Sequence, residues 1–314
     1  MEKYKYIFGP IPSRRLGNSL GVSPIPGKYC NYSCVYCQLG RTNTLTVTRG
    51  EYVNVNDILR EFKQYSTEKI KFDVVSIVGE GEPTLNINLG KLIRELKQHT
   101  VKPVVVITNG SLLADGAVRE QLLAADIVMP SLDAYDQQSL VKINRPDKKI
   151  AFSEIYTGLK MFAGEFTGRL WPEIMLIKGI NDDKKSLTKF KDLLAEVRHD
   201  RLFINTPVRP PAEKWVEAPE RKTLEDAVDI LGGSSLEMLA SGAFVSELED
   251  DLEAVLSIIQ RHPMNQHEVS AFLKSRGVQN EGEIFKKLSD NELVEVMDYK
   301  GYQTFRYFKG ERIR

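Results

Sequence analysis

Short apolar runs alternate along the chain with stretches in which apolar residues recur every three or four positions. Val74-Val75-Ser76-Ile77-Val78 and Val104-Val105-Val106-Ile107 are of strand length, far short of the ~20 residues that span a bilayer. The pattern predicts strand Ser19–Val22, helix Asn54–Tyr65 with Ile58, Leu59 and Phe62 on one face, strand Phe72–Val78 and helix Leu89–Gln98. It continues with strand Pro103–Thr108, helix Gly116–Ala125, strand Ile127–Leu132 and helix Ser153–Phe162. Strand Trp171–Ile177, helix Lys185–Arg198, strand Leu202–Asn205 and helix Thr223–Leu231 complete the series. Strands separated by helices of this length predict βαβ units and a parallel sheet. Six strands and six helices suit an α/β fold of either kind, an open doubly wound sheet or a partial (β/α)6 TIM-like barrel. Periodicity does not separate the two.

The pattern then changes. Thr206–Pro219 carries Pro207, Pro210, Pro211 and Pro219, which excludes both helix and central strand. Leu252–Arg261, Gln266–Ser275 and Glu281–Ser289 read as short helices. Leu293–Met297 and Tyr302–Phe308 read as a hairpin turning at Lys300-Gly301. Three helices and a two-stranded wing predict a winged-helix-like module; the plainer alternative is a packing appendage. The expected division is a barrel over 1–232, an acidic linker or helix over 233–254, and the C-terminal module over 255–314.

Composition narrows the class. With 42% hydrophobic and 27% charged residues among 314, neither a disordered chain nor a fibre fits. The opening Met1–Tyr6 has no apolar signal core, so a soluble, cytoplasmic protein without a membrane partner is expected. Basic and acidic residues balance at 43 each, but unevenly. Residues 1–50 hold seven basic groups against Glu2, a net of +6, while residues 235–254 hold six acidic groups and no basic one. A basic N-terminal segment keeps an anionic substrate open.

All three cysteines lie in Cys30-Asn31-Tyr32-Ser33-Cys34-Val35-Tyr36-Cys37. An odd number packed so closely is no disulfide framework. Three thiolates on one loop can reach a single metal centre. Structural zinc takes four closed ligands, and His99, His199, His262 and His267 are far off in sequence. A [4Fe–4S] cluster with three Cys leaves one iron open to an exogenous ligand.

This C-x3-C-x2-C spacing, with an aromatic before the last Cys and a strand before the loop, resembles the radical S-adenosylmethionine (SAM) superfamily. Further motifs follow in the expected order over about residues 6–210. Gly79-Glu80-Gly81-Glu82-Pro83 is similar to the family's Gly-Gly-Glu motif, with Glu80 in place of a glycine. Thr108-Asn109-Gly110 and Ser131-Leu132-Asp133 end the next two strands. Asn109-Gly110 also reads as a turn, and Ser131 and Asp133 as helix caps. The resemblance implies a partial barrel, a [4Fe–4S] cluster on Cys30, Cys34 and Cys37, and SAM oriented by Tyr36, Gly81, Glu82, Asn109, Ser131 and Asp133. It implies reductive cleavage of SAM to a 5′-deoxyadenosyl radical that abstracts hydrogen from a substrate, with an electron donor such as flavodoxin or ferredoxin.

A narrower resemblance rests on Phe8-Gly9-Pro10-Ile11-Pro12-Ser13-Arg14-Arg15-Leu16-Gly17-Asn18-Ser19-Leu20-Gly21-Val22, Cys37-Gln38-Leu39-Gly40, Ile143-Asn144-Arg145-Pro146 and Asn205-Thr206-Pro207-Val208-Arg209-Pro210-Pro211. These resemble the wyosine-synthase-related branch, whose characterised members modify a guanosine of transfer RNA; the cysteines for that branch's second cluster are lacking here. Candidate catalytic residues are Glu173, expected on an inner strand face, Lys28, as a Schiff-base or solvated loop lysine, and Arg209. Arg14, Arg15, Arg145 and Arg209 are suited either to a phosphate or carboxylate or to ordinary ion pairs. Three functions stay open: modification of a transfer-RNA base, modification of a small metabolite, phosphorylated or not, or of a peptide, and a non-catalytic iron–sulfur sensor with a winged-helix reader.

Overall fold

A computed structural model describes residues 4–66, 71–236, 244, 246 and 248–307. Much of the expected acidic segment 233–254, namely 237–243, 245 and 247, lies outside the described residues, as does Phe308. The chain opens on an antiparallel hairpin of β1 (Ile7–Ser13) and β2 (Gly17–Val22). The sequence pattern misses β1 because Pro10 and Pro12 interrupt it; an edge strand accommodates both, since its outer N–H groups need no partner. Short strands β3 (Tyr29–Cys30) and β4 (Thr44–Leu45) pair inside the cysteine loop.

The expected alternation follows as α1 (Val55–Ser66), β5 (Val74–Ile77), α2 (Leu89–His99), β6 (Val104–Thr108), α3 (Gly116–Leu122) and β7 (Ile127–Pro130). Ile58, Leu59 and Phe62 are the buried face of α1, as their spacing requires. An unexpected short helix, α4 (Gln137–Ile143), precedes α5 (Phe152–Glu165). It has too few turns to show a period, and a capping box at Asp136 and Ser139 starts it. The expected strand Trp171–Ile177 is instead split into β8 (Arg169–Leu170) and β9 (Glu173–Met175). Pro172, between them, has no N–H for the ladder. Next come α6 (Lys184–Ala195), β10 (Phe203–Asn205), α7 (Arg221–Leu231) and the stub β11 (Ser234–Ser235).

Parallel pairing runs β2-β5-β6-β7-β8 and β9-β10-β11, and a parallel bridge from Ser131 to Glu173 joins the two sets. Val74, Val105, Ile127, Met129, Trp171, Phe203 and Leu236 form one buried cluster drawn from successive strands. An open sheet cannot bring such distant strands onto one inner core, so the sheet curls into the partial barrel. The helices pack outside it. Among the described residues no helix is long and apolar enough to cross a membrane.

The C-terminal module follows the order α8 (Asp251–Ile259), β12 (Met264–Asn265), α9 (Gln266–Ser275), α10 (Glu281–Asp290), β13 (Val294–Tyr299) and β14 (Tyr302–Tyr307). Its sheet is ordered β12-β14-β13, so the wing has a third strand that is too short for the sequence pattern to show. Its elements run helix–strand–helix–helix–strand–strand. Lys300 and Gly301 both take positive φ, 51° and 79°, as a two-residue hairpin turn of this twist demands. The module has its own apolar core, into which Ile11 of β1 packs. Tyr299 Oη donates to the Pro207 carbonyl (2.6 Å) and Arg306 Nη1 to that of Pro211 (3.3 Å). The proline-rich segment after β10 is therefore the strip on which the module docks.

Candidate functional site

The cysteine loop is tied across the ends of β5 and β6. Lys28 N donates to the Glu80 carbonyl (2.9 Å), and Glu82 N to the Tyr29 carbonyl (3.1 Å). Gly81 lies so close under Tyr29 that an added Cβ would overlap its carbonyl oxygen. Lys28 takes the left-handed φ of 63°, which costs a residue bearing a Cβ about 1 kcal/mol. Its carbonyl accepts from Asn43 N and Thr44 N, at 3.2 and 3.1 Å, and so closes the loop. The Lys28 side chain is buried. It reaches the Gly40 carbonyl and stands 3.7 Å from Cys37 Sγ, which overturns the solvated reading of this lysine.

All three thiols are free and half-buried, and each has N–H donors aimed at it. Tyr32 N lies 3.4 Å and Asn109 Nδ2 3.8 Å from Cys30 Sγ; Asn144 Nδ2 lies 3.4 Å from Cys34 Sγ. Burial pushes the Cys30 thiol up to about 12, with the Glu82 carboxylate adding to it. Burial also raises Cys34, with Cys30 and Asp133 contributing. Left to themselves, Cys30 and Cys34 stay protonated at neutral pH. The donors suit anionic sulfur, the state that an iron–sulfur centre imposes. Among the described residues no three His, Cys, Asp or Glu form a cage for a single ion. Three spaced thiolates with N–H support fit a [4Fe–4S] cluster, and the chain has no fourth Cys to close it.

Two polar knots flank the loop. In the first, the buried Glu82 carboxylate accepts from Thr84 N (3.0 Å), Thr84 Oγ1 (2.6 Å), Thr108 Oγ1 (2.6 Å) and Asn109 N (2.8 Å). Burial still raises Glu82 above the usual carboxylate range. Asn109 donates on to Asn31 Oδ1 (2.7 Å). In the second, Asp133 accepts from Tyr36 Oη, from Asn144 Nδ2 (2.9 Å) and from Met175 N (2.9 Å). Burial pushes Asp133 up to about 6 against the pull of these donors. The structure thus brings Glu82 with Asn109 and Tyr36 with Asp133, with Gly81 beneath the loop. Ser131 stands between strands, its N–H donating to the Thr108 carbonyl (3.0 Å).

Sequence reasoning missed Asn31 and Asn144 as partners of this centre. Asn31 sits in the cysteine spacer, and Asn144 in the motif Ile143-Asn144-Arg145-Pro146, so position was the available signal. Because Asn144 Nδ2 links Cys34 Sγ to Asp133, Asn144→Leu is expected to lower cluster retention and SAM cleavage by about 10–100-fold. Iron content and visible absorption after anaerobic reconstitution measure the first, and 5′-deoxyadenosine release the second.

A cavity of about 600 Å³ lies beside the loop, between the inner barrel wall, the β1–β2 hairpin and the C-terminal module. Gln38 and Leu39, which follow Cys37, line it, as does Gly79. Glu173 points inward as expected; it pairs with Arg15 and accepts from Asn205 Nδ2 (3.1 Å). Arg209 faces the same cavity and grips Glu268 of α9 through both terminal nitrogens. Arg145 is elsewhere, sharing Glu213 with Arg41. Those two guanidinium groups hold Glu213 below the usual carboxylate range.

Partial barrel, three-cysteine loop and adjacent cavity together define a radical SAM protein. The family model of the radical SAM superfamily matches residues 25–190, and the chain belongs to that superfamily. Within it, the chain belongs with the UPF0026 proteins: that of Methanocaldococcus jannaschii is 32% identical, covering 93% of this chain and 96% of the relative. A "Probable dual-specificity RNA methyltransferase RlmN" of Thermotoga petrophila is 29% identical, covering 66% of this chain and 60% of its own. The crystal structure of a radical SAM methyltransferase from Sphaerobacter thermophilus superposes with a TM-score of 0.50 at 16% identity, covering 69% of this chain and 64% of that one. The protein is therefore an enzyme that uses a [4Fe–4S] cluster and SAM, and enzymes of this superfamily need a reductant.

Proposed function

We propose that the enzyme abstracts hydrogen from an anionic substrate seated in the cavity beside the cysteine loop, with a nucleotide of RNA as the first candidate. The single observation that carries this is the cavity wall. Arg14, Arg15, Arg209, Arg261 and Lys300 line it, and among the described lining residues Glu268 is the one carboxylate. The likeness to an RNA methyltransferase and the basic N-terminal segment support RNA. Enclosure by the C-terminal module favours a second reading, a small phosphorylated metabolite.

When bound, the cluster and SAM supply the reductive cleavage and the hydrogen-abstracting radical. Cys30, Cys34 and Cys37 hold the cluster, and the two polar knots keep their loop rigid. Gly81, Glu82, Asn109, Ser131, Asp133 and Tyr36 form the proposed SAM seat. Because the carboxylates of Glu82 and Asp133 are taken up within the chain, they shape that seat chiefly by positioning backbone. A flavodoxin or ferredoxin is the proposed electron donor, meeting the loop from outside.

Comparison of RNA nucleosides and phosphorylated metabolites between wild-type and deletion strains tests the substrate. A modified nucleoside missing from the deletion strain supports RNA. Unchanged nucleosides with an accumulating phosphorylated metabolite select the second reading. Transfer RNA retained by the holoenzyme should elute by moderate salt.

A further inference from the structure

Three guanidinium groups from distant parts of the chain converge on one imidazole of the C-terminal module. Arg14 and Arg15 come from the β1–β2 turn, Arg209 from the proline-rich strip, and His262 from the segment between α8 and β12. All four line the cavity. Arg209 Nη2 stands 3.0 Å from His262 Nε2. On its other side His262 meets the Phe244 ring at 5.4 Å.

The charges around this point are incompletely compensated. Arg15 has Glu173 and Arg209 has Glu268. Among the described residues, the Arg14 guanidinium has the Leu236 carbonyl, at 3.2 Å, and no carboxylate. Arg209 Nε is buried without a hydrogen-bond partner. Arg261, also in the wall, has its Nε 3.3 Å from Glu80 Oε1 yet misaligned for a hydrogen bond. A buried donor without a partner and a guanidinium without a carboxylate are both unfavourable in an enclosed wall unless a ligand completes them. Meanwhile burial, then Arg209, Arg15 and Arg14, hold His262 well below the ordinary imidazole range. Burial is the larger cause, and the positive charge of the wall adds to it.

We propose that Arg14, Arg15, Arg209 and His262 form the seat for a phosphate group of the substrate, so that the C-terminal module supplies part of the substrate site. This rests on the reading of an anionic substrate in the same cavity. Guanidinium groups approaching from separate segments match the several oxygens of a tetrahedral phosphate better than the two of a planar carboxylate. Among the described residues Arg14 has no carboxylate partner, so the three guanidinium groups outnumber their carboxylates by one. An arriving phosphate dianion offsets the guanidinium charges and offers an acceptor to His262, whose Nε2 turns from Arg209 to the phosphate, takes a proton from solvent and adds a further cation to the seat. Phosphate binding is thereby coupled to uptake of a proton.

The test uses the reconstituted full chain and inorganic phosphate, titrated calorimetrically near pH 7.5 in buffers of different ionisation enthalpy. Phosphate should bind at one site with net proton uptake. Arg14→Gln should weaken binding about tenfold. His262→Gln should abolish the proton uptake, while Lys160→Gln, on α5 away from the cavity, leaves both unchanged. Thermal melting confirms that each variant is folded. Competition names the source of the phosphate. Displacement by nucleoside monophosphates alone points to a free metabolite, and displacement by an oligoribonucleotide without terminal phosphate points to RNA. Absence of phosphate binding in the folded protein, or binding indifferent to both Arg14→Gln and His262→Gln, overturns the proposal. Release of 5′-deoxyadenosine in the same preparation is independent of it. A positive phosphate result without turnover would sink the enzymatic reading and leave the site standing.

Discussion

Cys34→Ala is expected to remove the cluster and reduce 5′-deoxyadenosine release by more than about a hundredfold, beyond the loss typical of an outer partner such as Asn144. The variant should keep its fold, because the loop is held by backbone. Cys37 N donates to the Cys34 carbonyl at 3.1 Å, Val35 N to that of Ile143 at 2.9 Å and Ser33 N to that of Asn144 at 3.0 Å. None of these needs the sulfur. Asn144 Nδ2 loses one acceptor but still donates to Asp133, so no buried donor is stranded. Iron content, visible absorption and SAM cleavage after reconstitution measure the loss, and an unchanged melting temperature of the metal-free chain shows that it is local. Retention of a full cluster by this variant would refute the assignment of the three ligands.

The second large effect is expected at Gly81, and there the fold itself suffers. Gly81→Ala places a methyl group on the Tyr29 carbonyl, with the Tyr29 backbone nitrogen also within contact distance. Backbone cannot swing aside as a flexible side chain can. Relief requires lifting the loop off β5, which breaks the bonds from Glu82 N to Tyr29 and from Lys28 N to Glu80. A destabilisation of about 3 kcal/mol is expected, at the upper end for overpacking. Denaturant titration of the metal-free chain measures it. Cluster content should fall in parallel, since Cys30 follows Tyr29 directly. The neighbouring Gly79→Ala should be milder, because its added Cβ meets mainly the Ile25 and Ser23 side chains.

The parts of the site legible in the sequence were those packed into short segments. The spacing of the three cysteines marks them as the proposed cluster ligands, and Asn109, Ser131 and Asp133 became proposed SAM contacts because they follow strands that show as apolar runs and resemble the superfamily's motifs. Glu173 was legible as an inward residue through the alternation Glu173, Met175, Ile177. Its partner Arg15 was not, since 158 positions separate them. The hairpin strand β1, the helix α4 and the strand β12 also escaped. Two prolines, a length of seven residues and a length of two, respectively, leave each without a period to read.

The amino-acid order by itself determined the alternating α/β architecture, the helices and hairpin of the C-terminal elements and a loop with three closely spaced thiols. Each of these depends on local spacing, because helix and strand periods and the reach of a thiolate loop are set within a few residues. Tertiary structure alone decided that the sheet curls, since the inner core draws one residue after another from strands across the whole barrel. It alone decided that Gly81 is a packing requirement of the cluster loop and that Lys28 is buried against it. It also turned Arg14, Arg15, Arg209 and His262, scattered over some 250 positions, into one charged wall. Charge compensation is a property of distances in space, and a chain that folds back on itself does not record those distances in its sequence spacing.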